Sequence, residues 1–360
     1  MKPIKVGVVG LGMVAQIMHL PYLKESDRFE LAAVCDVSRK LADRMAAHYG
    51  APYACTDVDD MLRHGNVDAV FILTFNHCDI AKKAARAGKH MFCEKPVAFS
   101  VQEAQEIKRA VDKAGVTFMI GYMKRYDQGF LLGLKHFERM KKKKDVRMIT
   151  VHDACFANDL AIRSMYNLVK YNDVPQQIIT DGITTMEMRL RQAVGKNAPA
   201  HVLSAYRLLL ETGSHDVNVL RGAFGDPHKV LHTEIWPEGN WIATTLDYGG
   251  NVRCNLCVAR SARNWPDEFI TAYGLTDTVT VEFPNPFHKN AATEVRRTFM
   301  HGDATTYETT KASHEEAFEA ELRHFHDCVR KNKTPLTSLD QGIEDTKLMA
   351  DIVKAFNGRR

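Results

Sequence analysis

Two patterns of apolar and polar positions alternate over the first 122 residues. Short runs that are apolar on both faces ("IKVGVV", "FELAAVC", "DAVFILT", "HMFCE", "VTFMIGY") read as buried strands. Between them lie amphipathic segments, "SRKLADRMAAHYG", "HCDIAKKAARAGKH" and "SVQEAQEIKRAVDKAG", each closed by a glycine. Ser100 with Glu103 three residues later has the form of a capping box. Strands alternating with helices of this length predict an α/β N-terminal Rossmann domain, a doubly wound parallel sheet, over residues 1–122. After Lys144 the texture changes to longer, alternating runs: "MITVHDACF", "VLSAYRLLL", "KVLHTEIW", "WIATTLDYGGNVRCNLCVAR", "FITAYGLTDTVTVEF" and "TTYET". They predict strands covered on one face, with helices at about 175–194, 213–224, 313–331 and 341–357. Residues 123–360 are therefore expected to form an α+β domain with a large, mostly antiparallel open sheet.

Composition narrows the function classes. The net charge is +4, from 48 basic and 44 acidic residues, too mild to point to nucleic acid or an anionic membrane as partner. The basic run from Arg139 to Lys144 reads as a solvated helix end. No stretch approaches the roughly 18 apolar residues of a membrane span. A strand pattern beginning at Ile4 leaves no room for a signal peptide. Eight scattered cysteines read as buried thiols of a reducing compartment, which makes the cytoplasm the expected location. Cys254 and Cys257 form a lone CxxC within a strand, on opposite faces, so no zinc or other metal site is expected.

The first strand runs into Gly10-Leu11-Gly12-Met13-Val14-Ala15, the GxGxxA form of a dinucleotide fingerprint. Gly10 permits the turn and Gly12 lets the backbone approach a pyrophosphate. The amides around Met13 and Val14 then open a helix toward the anion. Asp36 closes the second strand, where a carboxylate suits both hydroxyls of an adenosine ribose and repels a 2′-phosphate. NAD is thereby favoured, with NADP the alternative because Arg39 stands three residues on. Ligand groups in such a sheet belong at the carboxyl ends of its strands, which places Thr74, Asn76, Glu94 and Lys95 beside the cofactor. The stretch "MFCEKPVAF" is odd by itself, since two opposite charges interrupt an apolar run, and buried charge must be paired or used. In "ETGSHDVNVLRGAFG", Glu211 and His215 are four apart. A helix beginning near Gly213 would let both converge near its start, the acid orienting the imidazole.

With these motifs the chain resembles the glucose-fructose oxidoreductase / inositol dehydrogenase / rhizopine-catabolism (Gfo/Idh/MocA) oxidoreductase family. The carrying stretches are "GVVGLGMVAQIMHLPYL", "AGKHMFCEKPVAFSVQEA", "GYMKRYDQGF", "ETGSHDVNVLRGAFG" and the closing "FEAELRHFHDCVRKNKTPLTSLDQGIEDTKLMADIV". The resemblance implies that Lys95 reaches substrate and nicotinamide, that its bond to Pro96 is cis, and that Glu94 lies nearer the cofactor. It also implies that His215 is the base for the hydroxyl proton. Two departures stand out. Glu211 occupies a position usually held by Asp, and Asp79 replaces a usual His, with His77 two positions earlier. No chemistry is assigned to either of the last two.

The activity so implied is NAD(P)-dependent oxidation of a secondary alcohol on a sugar, sugar derivative or cyclitol, in a cleft served by both domains. Arg125, Tyr126, His152 and Asp153 are the candidates for polar contacts to the substrate. Two other readings stay open: an enzyme that keeps its NAD and uses it internally for elimination, hydrolysis or epimerisation, and a nucleotide-sensing regulatory protein. A homodimer or homotetramer through the C-terminal sheet is expected.

Overall fold

The computed structural model describes residues 2–156, 165–263, 265 and 267–357. They fold into two compact units, neither of them contiguous in sequence. The described parts of 1–121, 162–189 and 321–346 form the first, and those of 122–161, 190–320 and 347–360 the second.

The first unit is built on β1 (Ile4–Val9), β2 (Phe29–Cys35), β3 (Tyr53–Cys55), β4 (Ala69–Ile72), β5 (His90–Glu94) and β6 (Phe118–Gly121). All pair in parallel, in the order β3-β2-β1-β4-β5-β6. Chain order reverses between β1 and β4, which opens a crevice at their carboxyl ends. Helices α1 (Leu20–Glu25, entered through a π-helical turn at Ala15–His19), α2 (Arg39–Tyr49), α3 (Val58–His64), α4 (His77–Arg86) and α5 (Val101–Ala114) cover the sheet. The capping box is present: Ser100 Oγ accepts from Glu103 N–H at 3.2 Å, and Glu103 reaches back to the Phe99 N–H at 2.9 Å. Phe71 and Phe92 stack at 4.9 Å in the core. A late helix, Ala317–Lys331, sets Phe325 edge-on against both. The open edge of β6 is closed by Thr337, which exchanges backbone and hydroxyl hydrogen bonds with Ile120. That closure satisfies a row of groups that would otherwise invite another chain.

In the second unit a 3₁₀ turn (Met123–Tyr126) and α6 (Gln128–Lys142) precede a sheet of β7 (Val146–Phe156), β8 (Lys229–Ile235), β9 (Trp241–Asp247), β10 (Arg253–Ser261), β11 (Glu268–Gly274), β12 (Asp277–Glu282), β13 (Glu294–His301) and β14 (Ala304–Lys311). The order is β14-β13-β12-β11-β7-β10-β9-β8, and every pair is antiparallel except β7 with β10. Alternation along β7, with Ile149, Val151 and Asp153 buried, leaves one face to helices. The remaining helices in chain order are α7 (Gln176–Val194), α8 (Ala200–Leu208), α9 (Ser214–Phe224), α10 (Ala317–Lys331) and α11 (Leu339–Lys354). Apart from the buried Met140, the Arg139–Lys144 run is exposed, at and just past the end of α6.

Two expectations need correction. The run "VLSAYRLLL" is helix α8, not a strand. Its apolar positions Val202, Leu203, Tyr206, Leu209 and Leu210 keep a three-to-four spacing, so a helical face was present under an apparently continuous apolar run. The helix expected at 213–224 is present as α9 (Ser214–Phe224), but it does not start from a loop near Gly213. The chain stays helical from Ala200 to Phe224, passing through a π-helical segment at Leu209–Gly213. A π insertion adds a residue to one turn and is a frequent way of re-aiming side chains at functional sites.

Candidate active site residues

The glycine loop has the geometry a dinucleotide requires. Gly10 has φ +89°, and a Cβ there would lie 2.9 Å from Leu73 C and Thr74 N, so neither strain nor space admits a side chain. At Gly12 a Cβ would meet nothing within 4 Å, which leaves the open approach a pyrophosphate needs. Asp36 organises the loop, its Oδ2 accepting from Leu11 N–H at 2.8 Å and its Oδ1 from Ser38 N–H at 2.9 Å. A carboxylate has about four acceptor sites, so two remain for ribose hydroxyls. These residues fit a nicotinamide dinucleotide. Thr74 lines the crevice against Gly10, and Asn76 stands at the N-cap of α4. Arg39 is exposed and pairs with Asp43 one helical turn on, at 2.8 Å.

The turn after β5 shows what the paired charges in "MFCEKPVAF" do. Glu94 is buried and its Oε1 lies 2.7 Å from Nε2 of the fully buried His19 on the π turn, while Oε2 accepts from Lys95 N–H at 3.2 Å. Burial pushes the Glu94 carboxyl up, but the His19 hydrogen bond and charge outweigh it and hold the group below the usual carboxylate range. Lys95, half-buried, is joined to Pro96 by a cis peptide bond. His77, buried at the start of α4, donates from Nδ1 to the Pro96 carbonyl at 2.7 Å. Burial lowers the pKa of His77, so the imidazole is neutral at pH 7. Thus the backbone that carries Lys95 is held by His19 through Glu94 and by His77 through Pro96. Sequence reasoning did not single out His19 and named His77 without giving it a role. Their signal was faint: single polar residues at the buried face of a helix, in "IMHL" and "NHCD".

In the second unit the helical run through Gly213 packs against β10. A Cβ at Gly213 would sit 3.0 Å from side-chain methyls of both Val258 and Leu209, so a larger residue there would have to push them aside. The π segment and α9 present Glu211 and His215 one turn apart. Both oxygens of Glu211 accept from guanidinium groups, Oε1 from Arg207 Nε at 2.6 Å and Oε2 from Arg260 Nη2 at 2.7 Å. The added methylene relative to aspartate therefore comes with a two-arginine grip. Arg207 lies one helical turn before Glu211, a pairing hidden while its stretch was read as a strand, and Arg260 comes from β10. Tyr122 packs edge-on to the His215 ring at 6.0 Å.

The four candidate substrate contacts separate. Arg125 is buried and donates from Nη1 to the Asn218 carbonyl and Oδ1, both at 3.3 Å. Tyr126 is buried beside it in the 3₁₀ turn. Alternation on β7 turns His152 and Asp153 to opposite faces. His152 stacks on Phe269 and lies 3.3 Å from Asp267 Oδ2. Asp153 joins Asp216 and Glu268 in a buried group whose carboxylate oxygens lie within 4.8 Å of one another, with Lys124 in direct contact with Glu268. Burial, then the charge of Asp153, raises the Asp216 carboxyl well above its ordinary value, so a proton is favoured there. Asp216→Asn is accordingly expected to change unfolding free energy by less than about 1 kcal/mol. Lys124→Met, which strands buried carboxylates, should cost about 3–5 kcal/mol. Urea denaturation at pH 7 checks both.

Comparison with known proteins places two long stretches of the chain in one family. Residues 4–122 match the model for the Gfo/Idh/MocA oxidoreductase family, NAD-binding Rossmann fold. Residues 206–360 match that family's C-terminal alpha/beta domain. The myo-inositol 2-dehydrogenase of Thermotoga maritima is 32% identical over 128 residues, 35% of this chain and 38% of that protein. The inositol 2-dehydrogenase of an Arthrobacter species is 31% identical over 222 residues, 59% of this chain and 64% of that one. In both, the match spans less than two thirds of the relative's length. The scyllo-inositol dehydrogenase of Lactobacillus casei, solved with NAD(H) and scyllo-inositol, shares the fold with a TM-score of 0.71. It is 20% identical, with 99% of this chain and 97% of that one covered.

Proposed function

The chain belongs to the Gfo/Idh/MocA oxidoreductase family, and from that membership we propose that it transfers hydride between nicotinamide and a secondary alcohol or ketone of a sugar, sugar derivative or cyclitol. NAD is the preferred nucleotide, on the strength of Asp36. The observation that carries the reading is Lys95, set at the carboxyl end of β5 in the sheet whose switch point holds the glycine loop, on a turn fixed by two buried histidines. A bound nicotinamide supplies the hydride acceptor. Oxidation removes one hydride from the carbinol carbon and one proton from its hydroxyl. His215 takes that proton, with Glu211 one turn away and itself held by Arg207 and Arg260. Within the first unit, the Lys95 ammonium is the group suited to stabilise negative charge as it develops on a substrate oxygen. The inositol dehydrogenases among the relatives make cyclitols the first substrates to try.

The test is a screen of sugars and inositols with NAD and with NADP, followed at 340 nm. Steady reduction with a polyol supports the reading. A protein that binds NAD yet reduces it with no polyol, and oxidises NADH with no corresponding ketone, would sink it.

The second unit also bears on assembly. Met148 and Tyr273, facing neighbours in the β7–β11 register, are 37% and 36% exposed on the sheet face opposite the buried side chains of β7. A second copy of the chain covers this face in the proposed homodimer or homotetramer. Light scattering should give at least twice the 40.6 kDa chain mass at micromolar concentration; a monomer would contradict it.

A further inference from the structure

Chain segment 165–175 touches the nucleotide end of the first unit at two points. Gln16, in the turn that follows the glycine loop, donates from Nε2 to Leu11 O at 2.8 Å and Val169 O at 3.0 Å, and its Oε1 accepts from Val169 N–H at 2.9 Å. Four residues later Asp173 meets the first turn of α2. Ser38 Oγ donates to its Oδ1 at 2.5 Å, and Lys40 N–H donates to its Oδ2 at 3.0 Å. The Ser38 bond, with that from Lys40, holds the Asp173 carboxyl below the usual range, so it is ionised at neutral pH. Ser38 joins two carboxylates, its N–H serving Asp36 and its hydroxyl serving Asp173.

This arrangement bears on which nucleotide fits. A ribose held by Asp36 presents its 2′ oxygen beside the β2–α2 junction. A phosphate on that oxygen needs donors there. The natural ones are the first-turn N–H groups of α2 and the Ser38 hydroxyl, at the positive end of the helix dipole. Asp173 already occupies a hydroxyl and an N–H of that set, and adds a second negative charge next to Asp36. The residue comes from chain between 122 and 206, the stretch that neither family model matches. We propose that Asp173 is a specificity-determining residue, a carboxylate standing where the 2′-phosphate of NADP would bind and so excluding that nucleotide. The proposal rests on the reading that the first unit binds a nicotinamide dinucleotide.

The experiment titrates NAD and NADP into the full-length protein by calorimetry, with no turnover required. Wild type is compared with Asp173→Asn, Asp173→Ala and the exposed Asp112→Asn, which removes one charge far from the site on the α5 end. The ratio of NADP to NAD dissociation constants should fall tenfold or more in both Asp173 variants and stay within twofold in Asp112→Asn. Circular dichroism establishes that the variants are folded. A ratio within twofold of wild type in both folded Asp173 variants would overturn the proposal and leave Asp173 a tether for its own segment. An equal fall in Asp112→Asn would also overturn it, by reducing the effect to net charge. If wild type binds neither nucleotide, the cofactor reading fails first and takes the proposal with it; NAD binding without a shifted ratio defeats the proposal alone.

Discussion

Lys95→Ala is expected to lower kcat by about 10²- to 10⁴-fold, the range for losing a group that moves or stabilises the reacting proton. The Kd for NAD should stay within about threefold. The separation follows from how the turn is built. Glu94 is anchored on His19 and the Pro96 carbonyl on His77, so truncating Lys95 removes an ammonium group without releasing the backbone that carries it. A loss of NAD affinity in proportion to kcat would instead make Lys95 a cofactor contact. His215→Ala should lose a similar factor, and its kcat/KM profile should lose the limb that reports deprotonation of the base. Glu211→Gln keeps the shape but gives Arg207 and Arg260 a neutral partner. A milder loss is expected there, since the imidazole itself remains.

A stability effect as large as that at Lys124 is expected at His19. His19→Ala should cost about 3–5 kcal/mol, because breaking a buried pair leaves an uncompensated charge. The partner lost is the one that holds Glu94 below the ordinary carboxylate range against burial. The sign with pH follows. In wild type the folded-state pKa of Glu94 is depressed, so its contribution is complete above the unfolded value near 4.5 and is lost as pH falls through the folded one. In His19→Ala the hydrogen bond and charge that opposed burial are gone, so burial raises the carboxyl and acidification protonates Glu94 in the folded state before the unfolded one. The variant's deficit should therefore be widest near neutrality and narrow as pH falls toward 4. Chemical denaturation at several pH values checks this; a deficit that stays constant or widens on acidification would show that Glu94 is not the group responsible.

The parallel sheet of the first unit could be read from the sequence, the three-residue β3 excepted, because strands buried on both faces leave unbroken apolar runs, and because glycines and capping residues mark helix ends. The second unit was legible where one covered face produced alternation. At "VLSAYRLLL" apolar residues were too dense for either period to dominate, and helix α8 was misread. The site divided along similar lines. Gly10, Asp36 and Lys95 stand at strand ends, positions set by local pattern. His19, His77, Arg260 and Asp173 act through partners tens of residues away, such as Asp173 on Ser38, and no local period carries that information.

The central claim is that a hydride passes between a carbinol carbon and nicotinamide. Its most direct test uses the best alcohol from the polyol screen, deuterated at the carbinol carbon, with NAD and wild-type protein. Mass spectrometry of the reduced nucleotide should show one deuterium, with the ketone product free of it. Deuterium released to water, with none in the reduced nucleotide, would contradict the account.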